Sequence, residues 1–245
     1  MLRILLVLTI LLFSTPGCQS QTTSAADKHI DRGNALSDKG DHDGAIAEYT
    51  KAITLNPTQP YYYYNRGSAR KDKGDFDGAL ADYDKALALN PRVPQFHNNR
   101  GAAWMGKGEF DKAISDFNQA IALNPNHANA YNNRGYARQQ KGDAEAALED
   151  YERAISLNSN DAYFYNNRGS ARRIRGDLSG ALADINKSIA LDAQNAEANC
   201  NLGLVQLSQG EVDDAEHSLK KCYDLDAKLK PKFEKLAGEI KRKRE

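Results

Sequence analysis

Small residues recur in this chain at a fixed interval of 34, a regularity that a single-core globule has no reason to keep. Glycine stands at Gly33, Gly67, Gly101, Gly135, Gly169 and Gly203, and a second series runs Gly40, Gly74, Gly108, Gly142, Gly176, Gly210. Alanine makes a third: Ala45, Ala79, Ala113, Ala147, Ala181, Ala215. Three registers in phase over six copies describe an array whose units bury their faces against neighbours. The chain therefore divides into six repeats, 26–59, 60–93, 94–127, 128–161, 162–195 and 196–229, and length alone is a poor guide to domain count.

Each recurring position has a physical reason. A glycine inside a helix costs about 1 kcal/mol against alanine, so its regular use implies a neighbouring helix that must come close. Here that neighbour is the repeat's own second helix with its alanine. The second glycine closes the first helix in the left-handed conformation. An acid follows each time (Asp41, Asp75, Glu109, Asp143, Asp177, Glu211), suited to cap the second helix. Four residues beyond the alanine comes a large apolar or aromatic residue: Tyr49, Tyr83, Phe117, Tyr151, Ile185, Leu219. Three repeats end Leu-Asn-Pro, at 55–57, 89–91 and 123–125; proline stops the helix, with the asparagine expected in the left-handed region.

This pattern resembles the tetratricopeptide repeat, over residues 26–229. The resemblance implies an all-α fold, a right-handed α-solenoid of six 34-residue helix-turn-helix repeats. Residues 230–245 break the period; Pro231 and the stripe Leu229, Phe233, Leu236, Ile240 read as a C-terminal capping helix with a basic, solvated end.

A covariation within the sequence adds a structural pair. Arg32, Arg66, Arg100, Arg134 and Arg168 precede the first glycine, and sixteen residues later stand Glu48, Asp82, Asp116, Asp150 and Asp184. The sixth repeat changes both, to Leu202 and Ser218. Arginine–carboxylate pairs between the two helices of the first five repeats are expected.

No catalytic constellation, metal-ligand spacing or cofactor motif stands out, and the reading is a protein-binding scaffold, not an enzyme. His29 and His97 share a core aromatic position and are expected to pack there; His42, His127 and His217 share no register. The family binds partners in the groove lined by first helices. Asn65, Asn99, Asn133, Asn167 and Asn201 recur there, thickened by Asn98, Asn132 and Asn166. They resemble an asparagine ladder that holds an extended peptide by its backbone, since an amide both donates and accepts. Tyr61, Tyr64, Lys71, Tyr136, Gln139, Tyr163 and Arg173 are expected on the same face, to supply selectivity. The basic clamp that some members use for acidic chaperone termini is missing from these positions.

Residues 1–13 (MLRILLVLTILLF) form a signal-like leader too short to span a membrane. The following Thr15-Pro16-Gly17-Cys18 resembles, imperfectly, the lipobox of bacterial lipoproteins, which implies a signal peptide over 1–17 and acylation of Cys18, with palmitate among the chains. Residues 18–25 then make a polar tether. Gln19 suits the periplasmic face of an outer membrane; ordinary cleavage to a secreted or periplasmic protein is the alternative. With 33 basic and 33 acidic side chains the chain has no net field for nucleic acid. Cys200 and Cys222 can pair only if their Cα atoms lie within roughly 7 Å; the simpler expectation is a free Cys222 filling a small slot. The whole reads as an envelope-anchored adaptor binding a peptide or protein segment, with a self-associating structural component as the alternative.

Overall fold

A computed structural model describes residues 17–244, with side chains over 25–243. Among these residues there are thirteen α-helices and no strand. Six antiparallel pairs follow one another: α1 (Gly17–Ser37) with α2 (His42–Leu55), α3 (Pro60–Lys73) with α4 (Phe76–Leu89), and α5 (Pro94–Gly106) with α6 (Phe110–Leu123). Next come α7 (Ala128–Gln140) with α8 (Ala144–Leu157), α9 (Ala162–Ile174) with α10 (Leu178–Leu191), and α11 (Ala196–Gln209) with α12 (Val212–Leu225). A 3₁₀ turn (Ala227–Leu229) leads into α13 (Lys230–Arg244). From α1 to α12 each helix packs on the next, α13 packs on α11, and successive first helices also touch one another. The expected α-solenoid is thus formed, with the first helices of each pair on its inner, concave side.

Residues 1–16 of the expected 1–17 signal peptide and the side chain of Cys18 lie outside the described residues. The tether over 18–25 is not a separate linker in the backbone: α1 starts at Gly17 and runs through it. No glycine or proline between Gln19 and Ala25 interrupts the helix that the first repeat propagates.

The turn chemistry accounts for the hairpins. The six glycines of the second series all have positive φ, from 76° to 95°, where a Cβ is disfavoured. Asp41, Asp75, Asp143 and Asp177 then cap the second helix by accepting from the amide three residues on. Glu109 and Glu211 make no such cap bond.

Two expectations need correction here. The asparagines that close the second helix are extended, with φ between −147° and −138°, not left-handed. The residue before proline is pushed to extended backbone, and the side chain gives a second reason. The Oδ1 atoms of Asn56, Asn90, Asn124 and Asn158 accept from the amide two residues on, and Asn158 does so without a following proline. The mid-helix glycines, for their part, make room chiefly for the large residue, not only for the alanine. A Cβ built on Gly101 would sit 2.7 Å from Phe117 Cε1. The fully buried Phe117 ring occupies the space that a side chain would need.

The arginine–carboxylate pairs occur in four repeats. Arg66, Arg100, Arg134 and Arg168 each bind both oxygens of Asp82, Asp116, Asp150 and Asp184 at 2.6–3.0 Å. Three arginines also reach back sixteen residues to the preceding repeat, at Thr50, Asp84 and Asn118. A second arginine, one helical turn on, joins the same carboxylate from Arg70, Arg138 and Arg172. In the third repeat that place holds Trp104, and His97 approaches Asp116 instead, at 3.6 Å. Burial opposes ionisation of Asp116, but the hydrogen bonds from Arg100 and the nearby His97 ring hold its carboxyl below the ordinary value.

The first repeat departs from this plan. Arg32 is exposed, and the Glu48 carboxylate takes His29 at 2.6 Å and Lys51 at 2.5 Å. Those bonds, Lys51's first, hold it down at about 2. Glutamate is longer than the aspartate of the other repeats, and its oxygens land beside the histidine. His29 therefore serves the acid column as a polar partner, whereas the His97 ring bonds through Nε2 to the Pro91 carbonyl at 3.0 Å and only stands beside Asp116. Apolar packing was expected of both.

The sixth repeat holds a disulfide between Cys200 and Cys222, with Cα atoms 5.1 Å apart. This overturns the expectation of a free Cys222 in a small slot. The two helices of the pair pack closely enough to meet the distance requirement, and the apolar cluster of Leu204, Leu207, Leu219, Phe233 and Ala237 encloses the bond.

Candidate functional site

The asparagine column lies on the first helices, and part of its hydrogen-bonding capacity is used within and between repeats. Asn167 Nδ2 donates to Asn132 Oδ1 at 2.9 Å, and Asn132 Nδ2 to Asn133 Oδ1 at 3.4 Å. Asn133 Nδ2 donates to Asn98 Oδ1 at 3.1 Å, Asn98 Nδ2 to Asn99 Oδ1 at 3.1 Å, and Asn99 Nδ2 to the Tyr64 hydroxyl at 2.9 Å. Asn201 repeats the step to Asn166 Oδ1 at 2.8 Å. The result is a zigzag of amides that stitches α3, α5, α7, α9 and α11 together.

Burial separates the two columns except at Asn201, the last member of the outer one. Asn98, Asn132, Asn166 and Asn201 are buried, whereas Asn65, Asn99, Asn133 and Asn167 are half-buried and keep an edge on the groove. Each amide nitrogen carries two hydrogens, so the half-buried column retains donors beside its inter-repeat bonds. Tyr64 is half-buried against Phe96, ring centres 5.1 Å apart. Burial raises its phenol above the ordinary value. Tyr61, Tyr136 and Tyr163 project instead, at 51%, 36% and 56% exposure.

The structure brings one subset of these residues into a cavity of about 560 Å³. Its walls come from α7, α9, α11 and α13, with Tyr136, Asn167, Arg173, Ile174, Phe233 and Leu236 prominent. Tyr61, Tyr64, Asn65, Asn98, Asn99, Asn132, Asn133 and Tyr163 are outside it, along the rest of the concave face. The contribution of α13 is the part that sequence reasoning missed. Phe233 and Leu236 are visible there as an apolar stripe, but a stripe does not say that one edge faces a groove while the other caps α11.

Models described as "TPR repeat" match residues 33–74 and 169–210. Models described as "Tetratricopeptide repeat" match 64–128, 105–162 and 196–229, so that together they span well over half the chain. No curated protein sequence matches. Among solved structures, MamA is 27% identical, with 73% of this chain and 96% of that chain covered and a TM-score of 0.58. The pilF protein of Pseudomonas aeruginosa is 19% identical over 84% of this chain and 94% of its own, at a TM-score of 0.71. YrrB, described as a TPR protein with an unusual peptide-binding site, is 24% identical over 79% and 97%, at 0.55. The last two likenesses speak for the fold alone.

Proposed function

Because the chain belongs to the tetratricopeptide repeat family, whose members generally mediate protein–protein interactions, we propose that it is an adaptor anchored in a bacterial cell envelope, holding an extended peptide or protein segment in its concave groove. The observation that carries this reading is the run of exposed Tyr61, Tyr136 and Tyr163 beside half-buried amides that keep unspent donors. Tyrosine offers a rigid apolar ring with a polar tip, as interface anchors do. Amides beside it suit a backbone of any sequence.

Two features support the envelope. The leader places Cys18 where a lipobox-like segment ends, and multiple acyl chains there would hold the protein firmly to a membrane. The Cys200–Cys222 disulfide fits an oxidising compartment, since cytosolic thiols are kept reduced.

The groove is tested by photocrosslinking in the native cell from a benzophenone side chain at Tyr163 or, as a control on the outer face, at the exposed Lys187 of α10. A protein adduct is expected from the first position only, and it should weaken in Tyr61→Ala/Tyr136→Ala, with circular dichroism to check that the variant stays folded. Equal adducts from both positions would exclude the groove. Changing Asn99, Asn133 and Asn167 is a poorer test, because their inter-repeat bonds would be lost with any ligand contact. The anchor has its own readout: labelled palmitate should enter the chain and fail to enter Cys18→Ala. Equal labelling of both would remove the lipid.

A further inference from the structure

The solenoid's arginines are mostly committed to carboxylates: Arg66, Arg70, Arg100, Arg134, Arg138, Arg168, Arg172 and Arg175 each pair with an Asp or Glu. Arg173 is not. Its Nε is fully enclosed without a hydrogen-bond partner, and it has no ion pair among the described residues. Burial alone pulls its guanidinium below the ordinary arginine value. Only the Nε is enclosed; the rest of the guanidinium, on a half-buried residue lining the cavity, is left for an anion to pair with.

The remaining charges of the cavity leave that need unmet. Glu197 is taken by Lys232 at 3.0 Å, across from α11 to α13. Lys235 and Glu239 offset each other in sign and pair with nothing within ion-pair distance among the described residues. Arg173 therefore stands as the net positive centre of the cavity. Around it the wall is built for more than a bare ion. Asn167 has a second amide hydrogen beyond its bond to Asn132, and Leu236 and Tyr136 offer apolar surface, while Phe233 is buried in the cluster around the disulfide.

We propose that this cavity is a carboxylate-binding subsite, in which Arg173 pairs with an acidic group of the bound peptide while Leu236 and Tyr136 cover the adjoining apolar side chain. This rests on the groove reading above and narrows it to a partner segment with a carboxylate next to a hydrophobic residue. Arginine presents a planar fork that matches a carboxylate, so geometry as well as charge favours that ligand. The carboxylate has two sources, a chain terminus or an Asp/Glu side chain, and three probe peptides separate them.

The full chain, labelled with ¹⁵N, is titrated with acetyl-Ala-Ala-Ala-Ala-Leu as the free acid, with its C-terminal amide, and with an amidated version carrying one internal Asp. The Nε–H signal of Arg173 is expected to shift saturably with the free acid. The plain amide should bind about ten-fold or more weakly, the loss of a hydrogen bond to a charged group. An equal response to the internal-Asp peptide assigns the side chain as source, and none assigns the terminus. Arg173→Gln should abolish the preference for acid over amide while leaving the melting temperature unchanged or higher, because it removes an unpaired cation. Equal shifts from acid and plain amide, or no shift from any peptide, overturn the proposal. Backbone shifts at Tyr61, Tyr136 or Tyr163 with the plain amide would then leave the groove reading standing without the subsite.

Discussion

Asp150→Ala is expected to destabilise the array by about 3–5 kcal/mol, the range found when one partner of a buried ion pair is removed. Asp150 is only 3% exposed and receives three charge-assisted hydrogen bonds, two from Arg134 and one from Arg138. Its loss strands two guanidinium groups between helices, and Arg134 keeps only its bond to Asn118 of the preceding repeat. Urea unfolding followed by circular dichroism measures the loss, with local amide exchange to place it, since an array need not unfold in one step. A loss under about 1 kcal/mol would mean the brace is solvated and nearly neutral in energy.

The sixth repeat supplies the control. There the three positions hold Leu202, Gln206 and Ser218, and Ser218 Oγ donates to Gln206 Oε1 at 2.7 Å. The triple change Arg134→Leu/Arg138→Gln/Asp150→Ser copies that solution into the fourth repeat. It should recover most of what the single change loses, because no charge is left uncompensated.

The braces also show how far the sequence could be read. The sixteen-residue offset between Arg66 and Asp82 was legible because both residue types change together in the sixth repeat. The second arginine was written just as openly, as Arg70, Arg138 and Arg172 four residues on, yet nothing in a single repeat says that two cations share one acid. Glu48 differs from the aspartates by one methylene, and its carboxylate meets His29 and Lys51 while Arg32 stays exposed. The asparagines were placed on the right face, but a column of amides reads identically whether it faces a peptide or the next repeat. Only the packing of α5 on α7 distinguishes Asn98, buried between them, from Asn99 at its edge. The cavity around Arg173 depends on where α13 lies, and periodicity is silent beyond the last repeat.

The same comparison of repeats leads to the second large effect. Cys200 occupies the register of Asn98, Asn132 and Asn166, and Cys222 that of the alanines Ala52, Ala86, Ala120 and Ala154. The sixth repeat thus lacks both the ionic brace and the inner amide, and it carries a covalent link in their place. Closing 22 residues of sequence separation restricts the unfolded chain by about 3 kcal/mol in the loop-entropy model. Cys200→Ala/Cys222→Ala is therefore expected to weaken α11, α12 and α13 by roughly that amount, with a further share from the emptied core volume. Because stability in such arrays is passed between neighbours, the loss should be local. Amide protection should fall across 196–244 and stay unchanged from α3 to α8, and the reduced wild-type protein should behave the same way. Loosening α13 also opens the wall of the cavity formed by Phe233 and Leu236, so reduction should weaken free-acid peptide binding at Arg173 along with the end of the array. Uniform loss of protection over all six repeats would show instead that the array unfolds as one unit, with the disulfide as its common staple.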